Sequence, residues 1–336
     1  MAAPPVVDLP FVDERLAQDL ATGLAEVEKL LRSSVESEDA FVTEASKHLI
    51  EAGGKRFRAM LVLLAAQFGS PAAAGVVPGA VVIELTHLAT LYHDDVMDEA
   101  PVRRGSPSAN ARWDNTVAIL TGDYLFAQAS EILADLGSDV IRIQAQTFSR
   151  LVRGQIRETI GPRSGEDPVA HYIGVLADKT GSLIATSGRF GAMLSGATPE
   201  VVERLTRACE AIGVAWQLGD DLLDVASETA ESGKTPGTDL REGIRTLPVL
   251  YVLASDDPES VRLRELLAGP VAEEDIEEAL RLLRADPAMG HARAELLDWV
   301  DRARVTPPTS PSGPPVKCTP SMLASRSACL RTEVAI

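Results

Sequence analysis

Leu16, Leu20, Leu24, Val27 and Leu31 recur at three- and four-residue steps with charges between them. That is the period of an amphipathic helix with one buried face. Val81, Leu85, Leu88, Tyr92 and Asp95 keep the same step. Similar periodicity predicts helices over 114–136, 139–160, 169–194, 200–228, 247–254, 274–284 and 291–304. Breakers fall between them, at Gly69-Ser70-Pro71, Arg104-Gly105-Ser106-Pro107, Gly161-Pro162, Ala197-Thr198-Pro199 and 232–237. No alternating apolar and polar run is long enough for a sheet. The pattern predicts an all-α fold, one domain over residues 1–305 with roughly ten or more helices, because no linker divides it. Residues 306–336 differ: the Pro/Ser-rich run 306–315 cannot be helical, which predicts a disordered tail.

Composition narrows the picture. Aromatic residues are only 4% of the chain while hydrophobic residues reach 45%, a balance suited to helices packed through small and unbranched side chains. With 49 acidic against 32 basic residues the formal charge is −17, which argues against binding nucleic acid or anionic lipid. Cys209, Cys318 and Cys329 form no Cys-x-x-Cys pair, and reduced thiols in a cytoplasmic setting are expected. The acidic start, with Asp8, Asp13 and Glu14, gives no sign of a secretory signal. The apolar stretches 57–68 and 76–91 are short or interrupted by Glu84 and His87, so no membrane span is expected.

Two acidic clusters carry candidate chemistry. His93-Asp94-Asp95-Val96-Met97-Asp98 places Asp94 and Asp98 one helical turn apart on one face. Gln217-Leu218-Gly219-Asp220-Asp221-Leu222-Leu223-Asp224 repeats the pattern, with positions 217, 220, 221 and 224 sharing a face. Like charges at that spacing weaken a helix, and a solvated helix would mix signs instead. One such cluster is as easily a solvated face or a cap. Two copies on apolar helices that faced each other would bring six carboxylates together and require cations. Oxygen ligands without Cys or clustered His favour Mg²⁺ over zinc, with phosphate oxygens completing the coordination. The acidic stretches lack the Gly and terminal Glu of an EF-hand loop, and Walker-type phosphate loops are absent.

Basic residues complete the pattern. Gly53-Gly54-Lys55-Arg56-Phe57-Arg58 opens an apolar helix, where backbone N–H groups, Lys55 and Arg58 can meet an anion. Arg103-Arg104-Gly105, Lys179-Thr180, Gly233-Lys234 and the 239–248 run Asp-Leu-x-Glu-Gly-x-x-Thr-Leu-Pro follow in order. Over about Leu16 to Ala303, this set of motifs resembles the trans-isoprenyl diphosphate synthase, or polyprenyl synthetase, family, as a medium- or long-chain member.

The resemblance implies mostly antiparallel helices around a central cavity, usually in a homodimer. It implies three Mg²⁺ ions per active site, held by Asp94, Asp95, Asp98, Asp220, Asp221 and Asp224 against an allylic diphosphate that Arg103, Lys179 and Lys234 also contact. Lys55, Arg58, His87 and Arg104 match positions binding isopentenyl diphosphate without metal, and Thr180 and Gln217 match positions lining the reacting carbons. The implied reaction joins isopentenyl units head to tail through ionisation, condensation and proton loss. The floor under the growing chain falls at Ala89 and Thr90, with Leu85 and Thr86 a turn deeper. Their small side chains predict a product longer than farnesyl, with geranylgeranyl as the rival, although Ala89 is equally suited to close helix packing.

Two features depart from the family pattern. Ile244 stands where many relatives carry Lys, with Arg245 beside it, and the 306–336 tail replaces the expected closing helix. Paired aspartate motifs also suit a terpene cyclase or head-to-head synthase, but the Gly-Gly-Lys-Arg-x-Arg segment argues against those. A non-catalytic partner subunit would be expected to lack one aspartate motif. An acidic helical scaffold would leave the ordered basic motifs unexplained.

Overall fold

The structure, a computed structural model, describes residues 14–227 and 236–304. In chain order its helices are α1 Glu14–Ser34, α2 Ala40–Glu51, α3 Phe57–Ala65, α4 Val76–Met97, α5 Ala109–Arg112, α6 Asn115–Leu136, α7 Ser138–Ile160, α8 Pro168–Leu176, α9 Ser182–Leu194 and α10 Pro199–Ala226. They continue with α11 Thr238–Glu242, α12 Leu247–Ala254, α13 Val261–Leu266, α14 Ile276–Ala285 and α15 Pro287–Arg302. A two-residue hairpin, β1 Val102–Arg103 with β2 Ser106–Pro107, is the one sheet among the described residues. The all-α expectation therefore holds, with this small antiparallel pair added where the sequence shows only a turn.

Helix starts follow from short acidic side chains. Asp39 accepts from Phe41 N at 2.8 Å before α2, and Asp114 from Val117 N at 2.8 Å before α6. Asp167 and Asp286 do the same for α8 and α15, each with Pro in the first turn. These carboxylates satisfy amide donors that no helical carbonyl can reach.

Where the pattern predicts one domain, contacts divide the chain into two compact units. Among the described residues the first comprises 14–149 and 183–209, the second 150–182, 210–227 and 236–304. Each crossing between them falls inside a helical stretch rather than in a linker.

In the first unit, Leu20, Leu24, Val27 and Leu31 of α1 are buried as their spacing requires. They meet α4, which packs also on α3 and α6. By length and composition α4 is the one described helix able to cross a membrane, yet 67% of its apolar window lies inside the protein. Its near-continuous apolar sequence reflects core burial. The second unit has its own core, in which Leu218, Leu222 and Val225 of α10 pack with Leu247 and Val252 of α12, Leu283 of α14 and Leu296 of α15.

Candidate active site

The first aspartate motif occupies the C-terminal turn of α4. Asp95 is fully buried, Asp94 is partly exposed and Asp98, the capping residue, is exposed. Arg103 on β1 turns back to this turn. Its Nε donates to Asp95 Oδ1 at 2.6 Å, and its Nη2 lies 3.8 Å from Asp98 Oδ2. Asp95 Oδ2 is buried without a hydrogen-bond partner. Three carboxylates crowd a helix end whose dipole is already negative, an arrangement that favours arriving cations.

The basic residues of the first unit gather around His87. Gly53 and Gly54 hold φ +90° and +156°, and Arg56 holds the left-handed value 47°. A Cβ on Gly54 would lie 3.0 Å from Arg104 Nη1, so glycine lets that guanidinium cross the loop. Arg104 donates to Leu49 O at 2.9 Å and also to Gly53 O. Burial first, and then the neighbouring Arg56, push Arg104 down to about 10.

Burial also holds the His87 imidazole well below its usual range, and Arg58, Arg104, Arg56 and Arg103 push in the same direction. His87 is therefore a neutral hydrogen-bonding group among cations at pH 7. Lys55 is exposed on the same loop. The Arg58 guanidinium is lowered by burial, partly offset by Glu84, and its Nε finds no partner. Clustered like charges with unused donors are suited to a multiply charged anion.

Arg56 completes this loop with a role that its motif does not disclose. Its side chain is buried, pairs with Glu28 and lies 3.6 Å from Glu84 Oε2. Glu84 Oε1 also accepts from Ala59 N at 3.1 Å, which fixes the start of α3. An arginine buried between two carboxylates leaves no distinct mark in a motif already rich in arginine.

The 169–194 segment is one helical run, α8 to α9, with a π turn at Ala177–Gly181 that belongs to the second unit. Lys179 and Thr180 lie on that turn; π turns of this kind recur at functional sites. Asp178 is buried and pins the turn to α7: Arg150 Nε and Arg153 Nε each donate to it at 3.0 Å. A Cβ on Gly154 would come within 2.6 Å of Lys179 N, so α7 needs glycine there. Lys179 Nζ pairs with Glu158 in this structure.

The second aspartate motif lies near the C-terminal end of α10, where its three acids diverge. Asp220 is partly exposed. Asp221 is buried, accepting from Gln217 Nε2 at 2.9 Å and from the Tyr172 hydroxyl. Asp224 is buried and accepts from the backbone N–H groups of Thr238 at 3.2 Å and Asp239 at 3.1 Å. Asp224 thus caps α11, a role that the repeated spacing gives no hint of.

Thr180 Oγ1 reaches Gln217 Oε1 at 3.5 Å, so this predicted pair does meet. Leu85, Thr86 and Ala89 are fully buried, and Thr90 is partly exposed. Thr86 Oγ1 accepts from Gln144 Nε2 at 2.6 Å. A Cβ on Gly122 of α6 would come 3.1 Å from Ala89 O, so α6 packs closely at Ala89. Ile244 and Arg245 are both exposed. Lys234 and the 306–336 tail lie outside the described residues.

Among the described residues, no three His, Cys, Asp or Glu side chains are grouped closely enough to hold a metal by themselves. The donors at each motif are nonetheless hard oxygens, and the unpartnered Asp95 Oδ2 is one that a cation would satisfy. The residues fit Mg²⁺ shared with a ligand's phosphate oxygens.

Comparison with known proteins agrees with this chemistry. A family model described as polyprenyl synthetase matches residues 39–283. The chain is 50% identical over 301 residues to a nonaprenyl diphosphate synthase of Mycobacterium tuberculosis (strain ATCC 25618 / H37Rv), covering 89% of this chain and 90% of the relative. It is 40% identical to a dimethylallyltranstransferase of the same strain, over 90% and 93%. A crystal structure of geranylgeranyl pyrophosphate synthase from Corynebacterium glutamicum, complexed with calcium and isoprenyl diphosphate, superposes with TM-score 0.82 at 43% identity. It covers 97% of this chain and 99% of that one. The chain belongs to the polyprenyl synthetase family and is a prenyltransferase.

Proposed function

We propose that this enzyme condenses isopentenyl diphosphate head to tail with an allylic diphosphate, in a Mg²⁺-dependent reaction, and releases products longer than farnesyl. Lys55, Arg58, His87 and Arg104 take the isopentenyl diphosphate. The observation that carries this reading is the set of arginines around the neutral His87.

At the first motif Asp94, Asp98 and Oδ2 of Asp95 would hold Mg²⁺ against a diphosphate, and at the second Asp220 would do so; Lys179 and Lys234 are the cations expected to contact the allylic diphosphate. Asp221 and Asp224 leave the metal set, because their oxygens already accept from Gln217, Tyr172 and two backbone amides. Bound Mg²⁺ supplies the concentrated positive charge that lets diphosphate depart from an allylic carbon. Arg103 holds Oδ1 of Asp95 in place, and Lys179 exchanges its Glu158 partner for the diphosphate. Thr180 and Gln217 line the carbons between which the new bond forms. Apolar helix faces keep water from the allylic cation.

A homodimer is expected, and Ile119 and Leu120 of α6 and Ile141 of α7 offer exposed apolar surface for it. The buried Cys209, a thiol rather than a disulfide, suits a cytoplasmic setting.

The reading is tested by incubating the protein with labelled isopentenyl diphosphate, an allylic primer and Mg²⁺, then sizing the dephosphorylated products. Chains beyond farnesyl are expected, and the nonaprenyl synthase at 50% identity supports a long product. Products that stop at farnesyl would contradict the length assignment, and no incorporation would contradict the activity. A geranylgeranyl product is the second reading, favoured by the solved relative and by close packing at Ala89.

A further inference from the structure

Four side chains of the second unit form one row of hydrogen bonds. Thr180 Oγ1 donates to Gln217 Oε1 at 3.5 Å, and Gln217 Nε2 donates to Asp221 Oδ1 at 2.9 Å. The Tyr172 hydroxyl donates to Asp221 Oδ2. Tyr172 and Thr180 belong to one helical run, and Gln217 and Asp221 are four apart on α10. The row therefore ties two helices together at two points.

The π turn makes the row possible. Eight residues of regular helix at 3.6 per turn would leave Thr180 about 80° around the axis from Tyr172. The wider π turn winds more slowly and returns Thr180 toward the face that carries Tyr172.

The row also has a direction. An ionised carboxylate only accepts, so the amide nitrogen of Gln217 must face Asp221 and its oxygen must face Thr180. A donor reaches each oxygen of Asp221, Gln217 Nε2 on Oδ1 and the Tyr172 hydroxyl on Oδ2, which restricts its freedom to turn. Donation to a carboxylate also polarises the amide and concentrates negative charge on Gln217 Oε1.

From this arrangement we propose that Tyr172 is a positioning residue of the condensation. Through Asp221 it fixes the Gln217 amide so that the carbonyl oxygen, not the NH₂ group, faces the reacting carbons. A carbonyl dipole stabilises the allylic cation there, whereas a flipped amide would oppose it. The proposal rests on the functional reading above, in which Gln217 and Thr180 line those carbons. It assigns Asp221 to orientation rather than to metal binding.

The test measures kcat and KM for both diphosphates in the full-length protein, with Tyr172→Phe, Gln217→Met and the double variant. Loss of one hydrogen bond to a charged group should lower kcat for Tyr172→Phe about tenfold or more, with both KM values within about twofold. The double variant should be no slower than Gln217→Met alone, because both changes break one device.

If Tyr172→Phe does not fold, an Asp221→Asn and Gln217→Met cycle reads the same coupling. There Asp221→Asn should lower kcat without raising the Mg²⁺ concentration needed for half-maximal rate. A wild-type kcat for Tyr172→Phe, losses that simply multiply in either double variant, or a raised Mg²⁺ requirement for Asp221→Asn would each overturn the proposal. A wild-type protein that incorporates no label would overturn the functional reading and this inference with it.

Discussion

The two aspartate motifs have the same spacing but different surroundings. In the first, the buried acid is balanced by a cation, since Asp95 meets Arg103 at 2.6 Å and keeps one oxygen unpartnered. In the second, the buried acids accept from neutral donors: Asp221 from Tyr172 and Gln217, Asp224 from two backbone amides. Identical sequence patterns therefore leave different capacities for metal. The first motif offers up to three carboxylates and the second offers Asp220. Both stand near the C-terminal end of a long helix, where the dipole makes acids unfavourable until a cation arrives.

The largest effects should separate the metal-binding acids from the structural ones. Asp94→Ala and Asp220→Ala should each lower prenyl incorporation about a thousandfold, as expected for losing several kcal/mol of charge stabilisation. Asp224→Asn, which keeps an acceptor for the α11 amides, should stay within about threefold of wild type in the same assay. Equal losses for Asp98→Asn and Asp224→Asn would restore the symmetry that the structure denies.

Arg103→Met probes the charge balance itself. It strands the buried carboxylate of Asp95, at a cost of about 2 kcal/mol in denaturant unfolding, since Arg103 is itself partly exposed. Adding Asp95→Asn should recover much of that loss, and a purely additive double variant would show that the pair does not interact.

Ala89→Phe acts in the first unit alone. Overpacking against Gly122 should cost about 1–3 kcal/mol while shortening the products. Unchanged product lengths would assign Ala89 to packing only.

The smallest effect is a pH dependence at His87. Its folded pKa is depressed below the unfolded value, mainly by burial, so the unfolded chain takes up a proton first as pH falls. The stability that neutral His87 contributes is complete above about pH 6.5 and is lost as pH drops toward the folded pKa. Stability profiles of wild type and His87→Gln should converge at acid pH, and parallel profiles would contradict this.

Much of the fold was legible because helical periodicity is a local signal. The α12 segment agrees to the residue, and the α1 and α4 faces bury the side chains that their spacing picked out. The hairpin at 102–107 shows in the sequence only as a turn, because two residues per strand carry no alternation. The π turn was invisible as well, since nothing in Ala177–Gly181 differs in composition from α-helix; it is defined by Asp178 meeting arginines of α7.

At the site, the residue types and their order could be read from motifs, and the first-unit basic residues do gather around His87. What spacing could not reveal is which carboxylates the protein keeps for itself. That depends on Tyr172 and the 238–239 amides, which lie 49 residues before and about 15 residues after their partners.

The central claim is that Asp94 and Asp220 are each needed for Mg²⁺-dependent binding of the allylic diphosphate. Calorimetric binding of a non-ionising allylic thiodiphosphate, with and without Mg²⁺, tests it most directly. Wild type should show a Mg²⁺-dependent gain in affinity that Asp94→Ala and Asp220→Ala each abolish. If either variant keeps the full gain, that aspartate does not serve Mg²⁺-dependent binding.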